Sequence, residues 1–100
     1  MTDISEDELL TNVIECARLL RWRVYHIRNS KRGIVQGHVG FPDILALRDG
    51  QVLIAELKAE RGRLTEEQDI WLREWRKAGA LVHIWRPRDW LAGTIGEVLR

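Results

Sequence analysis

The chain has 100 residues, 45% hydrophobic and 31% charged, with a formal net charge of +1; that length points to one domain, residues 1–100, able to bury about 65% of its surface without a covalent staple. Cys16 is the one cysteine, which excludes an intramolecular disulfide and a cysteine-based zinc cage, and its place in an apolar helical pattern suggests a buried thiol. No apolar run approaches the roughly 18 residues of a membrane span, and MTDISEDELL is acidic where a signal peptide is basic, so a cytoplasmic protein without membrane contact is expected.

In chain order, Ser5 with Glu8 three residues on forms a capping box, and Leu9, Leu10, Val13, Ala17 and Leu20 then recur on one face, which predicts a first helix ending near Arg21. WRVYHIR, residues 22–28, is rich in β-branched and aromatic side chains and reads as a strand; NSKRGIVQGHVG has three glycines and no period and reads as a loop. DILALR and QVLIAELK flank Asp49-Gly50, a dipeptide suited to a tight hairpin turn because both residues tolerate positive φ. Thr65 with Gln68 makes a second capping box, Trp71, Leu72, Trp75 and Ala78 follow at helical spacing, and Gly79 is placed to stop that helix. LVHIWR alternates as a strand ended by Pro87, and Thr94 with Glu97 repeats the capping signature for a last short helix. The order is α-β-β-β-α-β-α, an α/β domain, and the helical connection between the third and fourth strands favours a parallel, right-handed crossover.

Charge is unevenly distributed. Between Glu15 and Asp43 there is no carboxylate, whereas Arg18, Arg21, Arg23, Arg28, Lys31 and Arg32 supply six cations. A solvated surface explains such a run as readily as a nucleic-acid contact does. Arg28, Lys31 and Arg32, clustered where the first strand ends, are the candidates for phosphate contacts, which bind without reading sequence. His83 alternates within the last strand and reads as structural; His38, in the loop, is given no role.

The chemistry emerges from the hairpin register. A two-residue Asp49-Gly50 loop pairs Arg48 with Gln51, and the ladder that follows places Asp43 opposite Glu56; an odd-length loop would shift that opposition by one. Directly opposed residues have Cβ atoms about 4.5–5.5 Å apart, and like charges so placed are destabilising unless a cation lies between them. A divalent cation is the natural occupant. Lys58 is two residues beyond Glu56, hence on the same face, near enough to orient a water or stabilise negative charge. The strand begins apolar on both faces, Val52 and Ile54 on one and Leu53, Ala55 and Leu57 on the other, which marks it as central, where buried charges need a purpose.

GFPDILALRDGQVLIAELKAERGRLTEEQDIWL, residues 40–72, resembles the core of the PD-(D/E)XK nuclease superfamily, and more narrowly the virus-type replication-repair nuclease (VRR-NUC) domains found as small stand-alone phage proteins. The leading SEDELL helix, the RW turn into VYHIR, the GRLTEEQ segment and the HIWRPRDW ending extend the likeness over nearly the whole chain. One departure is Arg21, where such domains usually carry glycine before the aromatic; its effect should be confined to the helix end. The resemblance implies a restriction-endonuclease-like αβββαβ core, a mixed central sheet flanked by helices.

It also implies a metal-dependent phosphodiesterase acting on DNA, with Mg²⁺ or Mn²⁺ bound by Asp43, Glu56 and the backbone carbonyl of Leu57, no small-molecule cofactor, and a 5′-phosphate product. Lys58 would position the attacking water. The superfamily often adds a glutamate from the first helix; Glu8 can close the capping box, so Glu6, on the core-facing stripe, is taken for that role. Gln68 matches a glutamine that the family carries beside the metal, although it can equally cap its own helix. Stand-alone domains of this kind tend to be homodimers, and Trp71, Trp75 and Trp90 are more than one protomer is expected to cover. Paired sites would suit a Holliday-junction resolvase or another structure-selective endonuclease on branched DNA, whereas a 100-residue chain without a separate reading domain is poorly equipped for sequence-specific restriction. Two other classes compete: a non-catalytic nucleic-acid-binding module, and a partner-docking subunit of a phage replication or recombination complex.

Overall fold

Helix α1 (Glu6–Leu19) opens a computed structural model that describes residues 4–27 and 36–100; it is followed by β1 (Arg23–His26), β2 (Ile44–Arg48), β3 (Gln51–Leu57), α2 (Glu66–Lys77), β4 (Leu81–Trp85), α3 (Pro87–Leu91) and α4 (Thr94–Leu99). The four strands form one sheet in the order β1-β2-β3-β4, antiparallel except for the parallel β3–β4 pair joined through α2. This is the mixed sheet flanked by helices that the sequence leads one to expect, with β3 internal.

Local chemistry accounts for the elements. Ser5 Oγ accepts from the Glu8 N–H (3.1 Å) while the Glu8 carboxylate accepts from the Ser5 N–H (3.1 Å), closing the box that starts α1. Thr65 and Gln68 do the same for α2 (3.1 and 2.9 Å). The Asp49-Gly50 turn has φ of 51° and 76°, and Arg48 pairs with Gln51 as the two-residue loop requires. Both long helices end in a left-handed residue with the same pair of terminal bonds: Trp22 N–H to Ala17 O and Arg21 N–H to Arg18 O in α1, Ala80 N–H to Trp75 O and Gly79 N–H to Arg76 O in α2. In α2 that residue is Gly79 (φ 94°); in α1 it is Arg21 (φ 69°).

The sheet buries one face under α1 and the C-terminal helices. Leu9, Val13 and Ala17 of α1 pack on Ile44, Ala46, Leu53, Ala55 and Leu57, closed below by Trp22, Trp85, Ile95 and Leu99. The other face carries Leu45, Ile54 and Glu56, alternating as period 2 demands.

Four expectations are corrected. The first strand spans Arg23–His26 rather than residues 22–28. Pro87 begins a helix instead of merely ending a strand: it sits at the first helical position, where no N–H is needed, and the Asp89 carboxylate caps the Arg86 N–H at 2.7 Å. Thr94 does not cap α4, whose cap is Gly93 in left-handed conformation (φ 81°). Cys16 is half-buried at the margin of the core. Trp71, Trp75 and Trp90 are all half-buried within the one chain, Trp75 Nε1 being buried with no hydrogen-bond partner among the described residues. Trp71 donates to Val39 O (2.9 Å) and stands edge-on to Phe41, Trp75 is half-buried beside the same ring, and Trp90 packs on the core. His83 stacks on Trp85 with ring centroids 5.3 Å apart, as a structural histidine would.

Candidate active site

The sheet delivers its two carboxylates to one end of the internal strand. Asp43 lies one residue before β2, in a segment fixed from behind by α2. At Gly40 (φ 89°) the chain runs so close to the first turn of α2 that a Cβ would sit 2.9 Å from Gln68 N and from Glu67 C and Cβ, so only glycine fits. Phe41 locks against Trp71 (4.8 Å between centroids), and Pro42 is fully buried. Asp43 O accepts the Ile27 N–H of the neighbouring chain segment (2.9 Å), and Asp43 Oδ2 accepts the Leu57 N–H (2.8 Å). The register running from Arg48–Gln51 to Ile44–Ala55 puts Asp43 next in line opposite Glu56. A residue's N–H and C=O leave an antiparallel strand at the same edge, so the Leu57 carbonyl lies toward Asp43.

Glu56 is 3% exposed and its Oε1 has no hydrogen-bond partner among the described residues; Oε2 lies 3.7 Å from Lys58 Nζ. Burial, and then the charge of Asp43, push the Glu56 carboxyl up from 4.5 to about 8, only partly offset by Lys58, with Glu6 adding a further repulsion. A buried carboxylate this poorly satisfied is expensive, and an orphaned oxygen beside a second carboxylate is what a hard cation would complete. Among the described residues no group of three or more His, Cys, Asp or Glu side chains comes together. An ion held here would therefore rest on Asp43, Glu56 and the Leu57 carbonyl, with water filling the remaining positions, a donor set that suits Mg²⁺ or Mn²⁺.

The loop after Lys58 is clamped by a residue to which the sequence reading assigns nothing. From the end of β4, Arg86 Nη1 donates to the carbonyls of Ala59 (2.8 Å), Glu60 (3.2 Å) and Gly62 (2.7 Å), while Arg88 pairs with the Glu60 carboxylate (2.6 Å). Gly62 is folded back so that a Cβ there would touch Lys58 Cδ at 3.5 Å. Lys58 is thus fixed at its backbone by Trp85 O accepting its N–H, and the turn passes close to its stem. No local motif announces Arg86; a lone arginine before a proline gives no hint of carbonyls 24–27 positions away.

The outlying candidates are placed differently. Glu6 is exposed at the start of α1 and reaches the centre only through its charge on Glu56. Gln68 commits its side-chain oxygen to the Thr65 N–H, the capping alternative. Arg28, Lys31 and Arg32 lie outside the described residues.

The VRR-NUC domain model matches residues 3–89. The chain belongs to the VRR-NUC family. Two solved structures described as VRR_NUC domain proteins are similar to it: one at 19% identity and a TM-score of 0.69, covering 94% of this chain and 87% of the other, and one at 26% identity and a TM-score of 0.62, covering 79% and 81%. A Holliday junction resolvase, Hjc, of Archaeoglobus fulgidus shows 20% identity and a TM-score of 0.48 over 83% of this chain and 66% of its own. No curated protein sequence matches. The fold and family are those of a nuclease domain, consistent with the PD-(D/E)XK superfamily, and among the described residues no helix is long and apolar enough to cross a membrane.

Proposed function

We propose that this VRR-NUC domain is a divalent-metal-dependent, structure-selective DNA endonuclease that hydrolyses phosphodiester bonds in branched DNA, in the manner of a junction resolvase. The observation that carries the reading is the buried Glu56 oxygen left without a partner beside Asp43, with Lys58 3.7 Å from the other oxygen. Asp43, Glu56 and the Leu57 carbonyl would hold Mg²⁺ or Mn²⁺; when bound, such an ion neutralises charge on the scissile phosphate and acidifies water. The chain's own groups do the rest. Lys58, partly buried beside the 59–62 turn, orients the attacking water and donates to the charge that grows on phosphorus oxygens. Asp43 is held by the Leu57 N–H, which fixes one of its oxygens beside the Glu56 carboxyl. Glu6 contributes long-range negative charge, and Gln68 can serve only as a donor through its amide nitrogen, its oxygen being engaged in the cap. Cleavage leaves a 5′-phosphate and passes through no covalent enzyme intermediate.

The acid-free stretch between Glu15 and Asp43 offers phosphate contacts rather than base-edge readers, which supports binding without sequence preference. A homodimer, presenting two such centres about a two-fold axis, would make paired incisions in a junction. Labelled duplex, flap and four-way junction, incubated with the protein in Mg²⁺, Mn²⁺ or EDTA, test the reading: cutting of branched substrates that EDTA abolishes supports it, and binding without cutting in either metal makes the chain a non-catalytic module. Light scattering reads the dimer.

A further inference from the structure

The sheet face that bears Asp43 and Glu56 is only partly covered. Helix α2 packs toward β4, and over β1 and β2 the same face lies open, with Tyr25 66% and Leu47 44% exposed. By register, Tyr25 pairs with Leu45, which pairs with Ile54, so all three share the carboxylates' face; Leu45 lies two residues, about 7 Å, from Asp43. A shallow cavity of about 500 Å³ runs round the free edge of β1, lined on this face by Arg23, Tyr25, Leu45 and Leu47 and on the α1 side by Arg18, Trp22 and Val24. Its described lining holds two guanidinium groups and an exposed aromatic ring over an apolar floor, and no carboxylate.

We propose that this face is a platform for an unpaired nucleic-acid strand, on which a base stacks against Tyr25 while Arg18 and Arg23 take its phosphates. The proposal rests on the nuclease reading above and sharpens its substrate: DNA with a single-stranded arm lying across β1 and β2 and entering the Asp43–Glu56 site. Aromatic rings on a sheet accept any base through its π-face, and flanking cations track the backbone. The charge pattern selects this occupant over a second copy of the chain. A two-fold interface sets a patch against itself, which here would bring four guanidinium groups together with no acid among them. A double helix fits less well, because its bases are stacked on one another and leave no free face for Tyr25.

The test uses the full chain and two fluorescent probes of equal duplex length, one blunt and one with a single-stranded arm, read by anisotropy with Ca²⁺ replacing Mg²⁺. Tyr25→Ala should weaken the armed probe by roughly 5- to 100-fold and leave the blunt probe within about two-fold, while Tyr25→Phe, which keeps the ring, should bind as wild type does. Arg18→Ala with Arg23→Ala should flatten the slope of log K against log salt for the armed probe by about 1.4. Wild-type cleavage of the armed probe in Mg²⁺ separates the two levels. If wild type cuts and Tyr25→Ala binds and cuts that probe equally well, or if wild type cuts a four-way junction but neither binds nor cuts the armed probe, the platform is wrong and the nuclease reading stands; if wild type cuts none of the three, both fall. Sedimentation of wild type as a dimer that Tyr25→Ala converts to monomer would overturn the proposal in favour of a second copy on this face.

Discussion

The two ends of the β2–β3 hairpin each carry a partly or wholly buried charge, and they treat it in opposite ways. At the turn end, Arg48 Nη1 donates to Leu20 O (2.9 Å) and Leu99 O (2.8 Å), Nη2 donates to Arg100 O (2.9 Å), and the guanidinium carbon lies 4.3 Å from the centre of the Trp22 ring. Those carbonyls are the loose ends of α1 and α4, which lack partners within their helices, so one cation ties both termini to the sheet. At the open end, Glu56 is more deeply buried yet keeps one oxygen unpartnered, a second carboxylate opposite and a lysine at 3.7 Å. The first arrangement is what stability alone produces. The second costs stability in the metal-free chain, and such a cost concentrates where a ligand or reaction is served.

The largest effects should come from the costly end. Asp43→Asn and Glu56→Gln should each reduce cleavage of branched DNA by at least about 10³-fold and leave the fold intact, since each removes one of two charges proposed to hold the ion. Turnover near the wild-type rate in either variant would remove those residues from the ligand set. Lys58→Ala should lose about 10²- to 10³-fold in turnover, the usual effect of deleting one transition-state donor, while calorimetry still registers metal binding; lost metal binding would contradict the role given to Lys58.

At the turn end the expected effects fall on stability. Arg48→Met keeps a stem over Trp22 but takes the guanidinium donor from the Leu20 and Arg100 carbonyls, while Leu99 O still accepts from Trp22 Nε1 (2.8 Å), and should cost about 1–3 kcal/mol in urea melts without altering cleavage by the folded fraction. A comparable loss of turnover at full folding would show that the two ends are coupled rather than independent.

The comparison also has a pH signature. Glu56 titrates near 8 in the fold and near 4.5 ordinarily, raised by burial first and by Asp43 second. A raised acid binds its proton more tightly folded than unfolded, so the metal-free protein is most stable below about pH 4.5 on this account and loses that contribution as pH rises toward 8. Thermal melts in EDTA should therefore decline from pH 5 to pH 8 for wild type and flatten for Glu56→Gln, and excess Mg²⁺ at pH 8 should restore wild type more than the variant. Parallel declines in the two proteins would mean that Glu56 is not the group responsible.

The two ends were also unequally legible. Asp49-Gly50 and strict alternation set the register, and with it the opposition of Asp43 and Glu56, because a strand of period 2 leaves no freedom once the turn is known. Both capping boxes could be read for the same local reason. Arg48, Arg86 and Gly40 could not. Arg48 bonds to Leu20 and Leu99, Arg86 to a turn near residue 60, and Gly40 is required by the closeness of Glu67 and Gln68; each depends on a tertiary meeting that no spacing encodes. Helix α3 is not legible in the sequence because Pro87 marks a strand's end and a helix's first position alike, and it is Asp89, capping the Arg86 N–H, that makes it a helix.

The smallest effect comes from Arg21, the residue beside the Leu20 carbonyl that Arg48 holds. The departure from glycine noticed in the sequence falls on the one non-glycine position, apart from Asp49 in the turn, with φ in the left-handed region among the described residues. A left-handed residue with a side chain costs about 1–2 kcal/mol, and glycine relieves it, although the freer unfolded chain takes back about 0.4–1 kcal/mol. Arg21→Gly should thus stabilise the protein by about 0.5–1 kcal/mol, seen as a higher urea midpoint at constant slope, because the exposed side chain makes no bond that the terminal Trp22–Ala17 and Arg21–Arg18 backbone bonds need. In an Arg48→Met background the gain should shrink, since the helix end that glycine relaxes is then no longer anchored. An equal gain in both backgrounds would separate the strain at Arg21 from the Arg48 tie and make the turn end two independent devices instead of one.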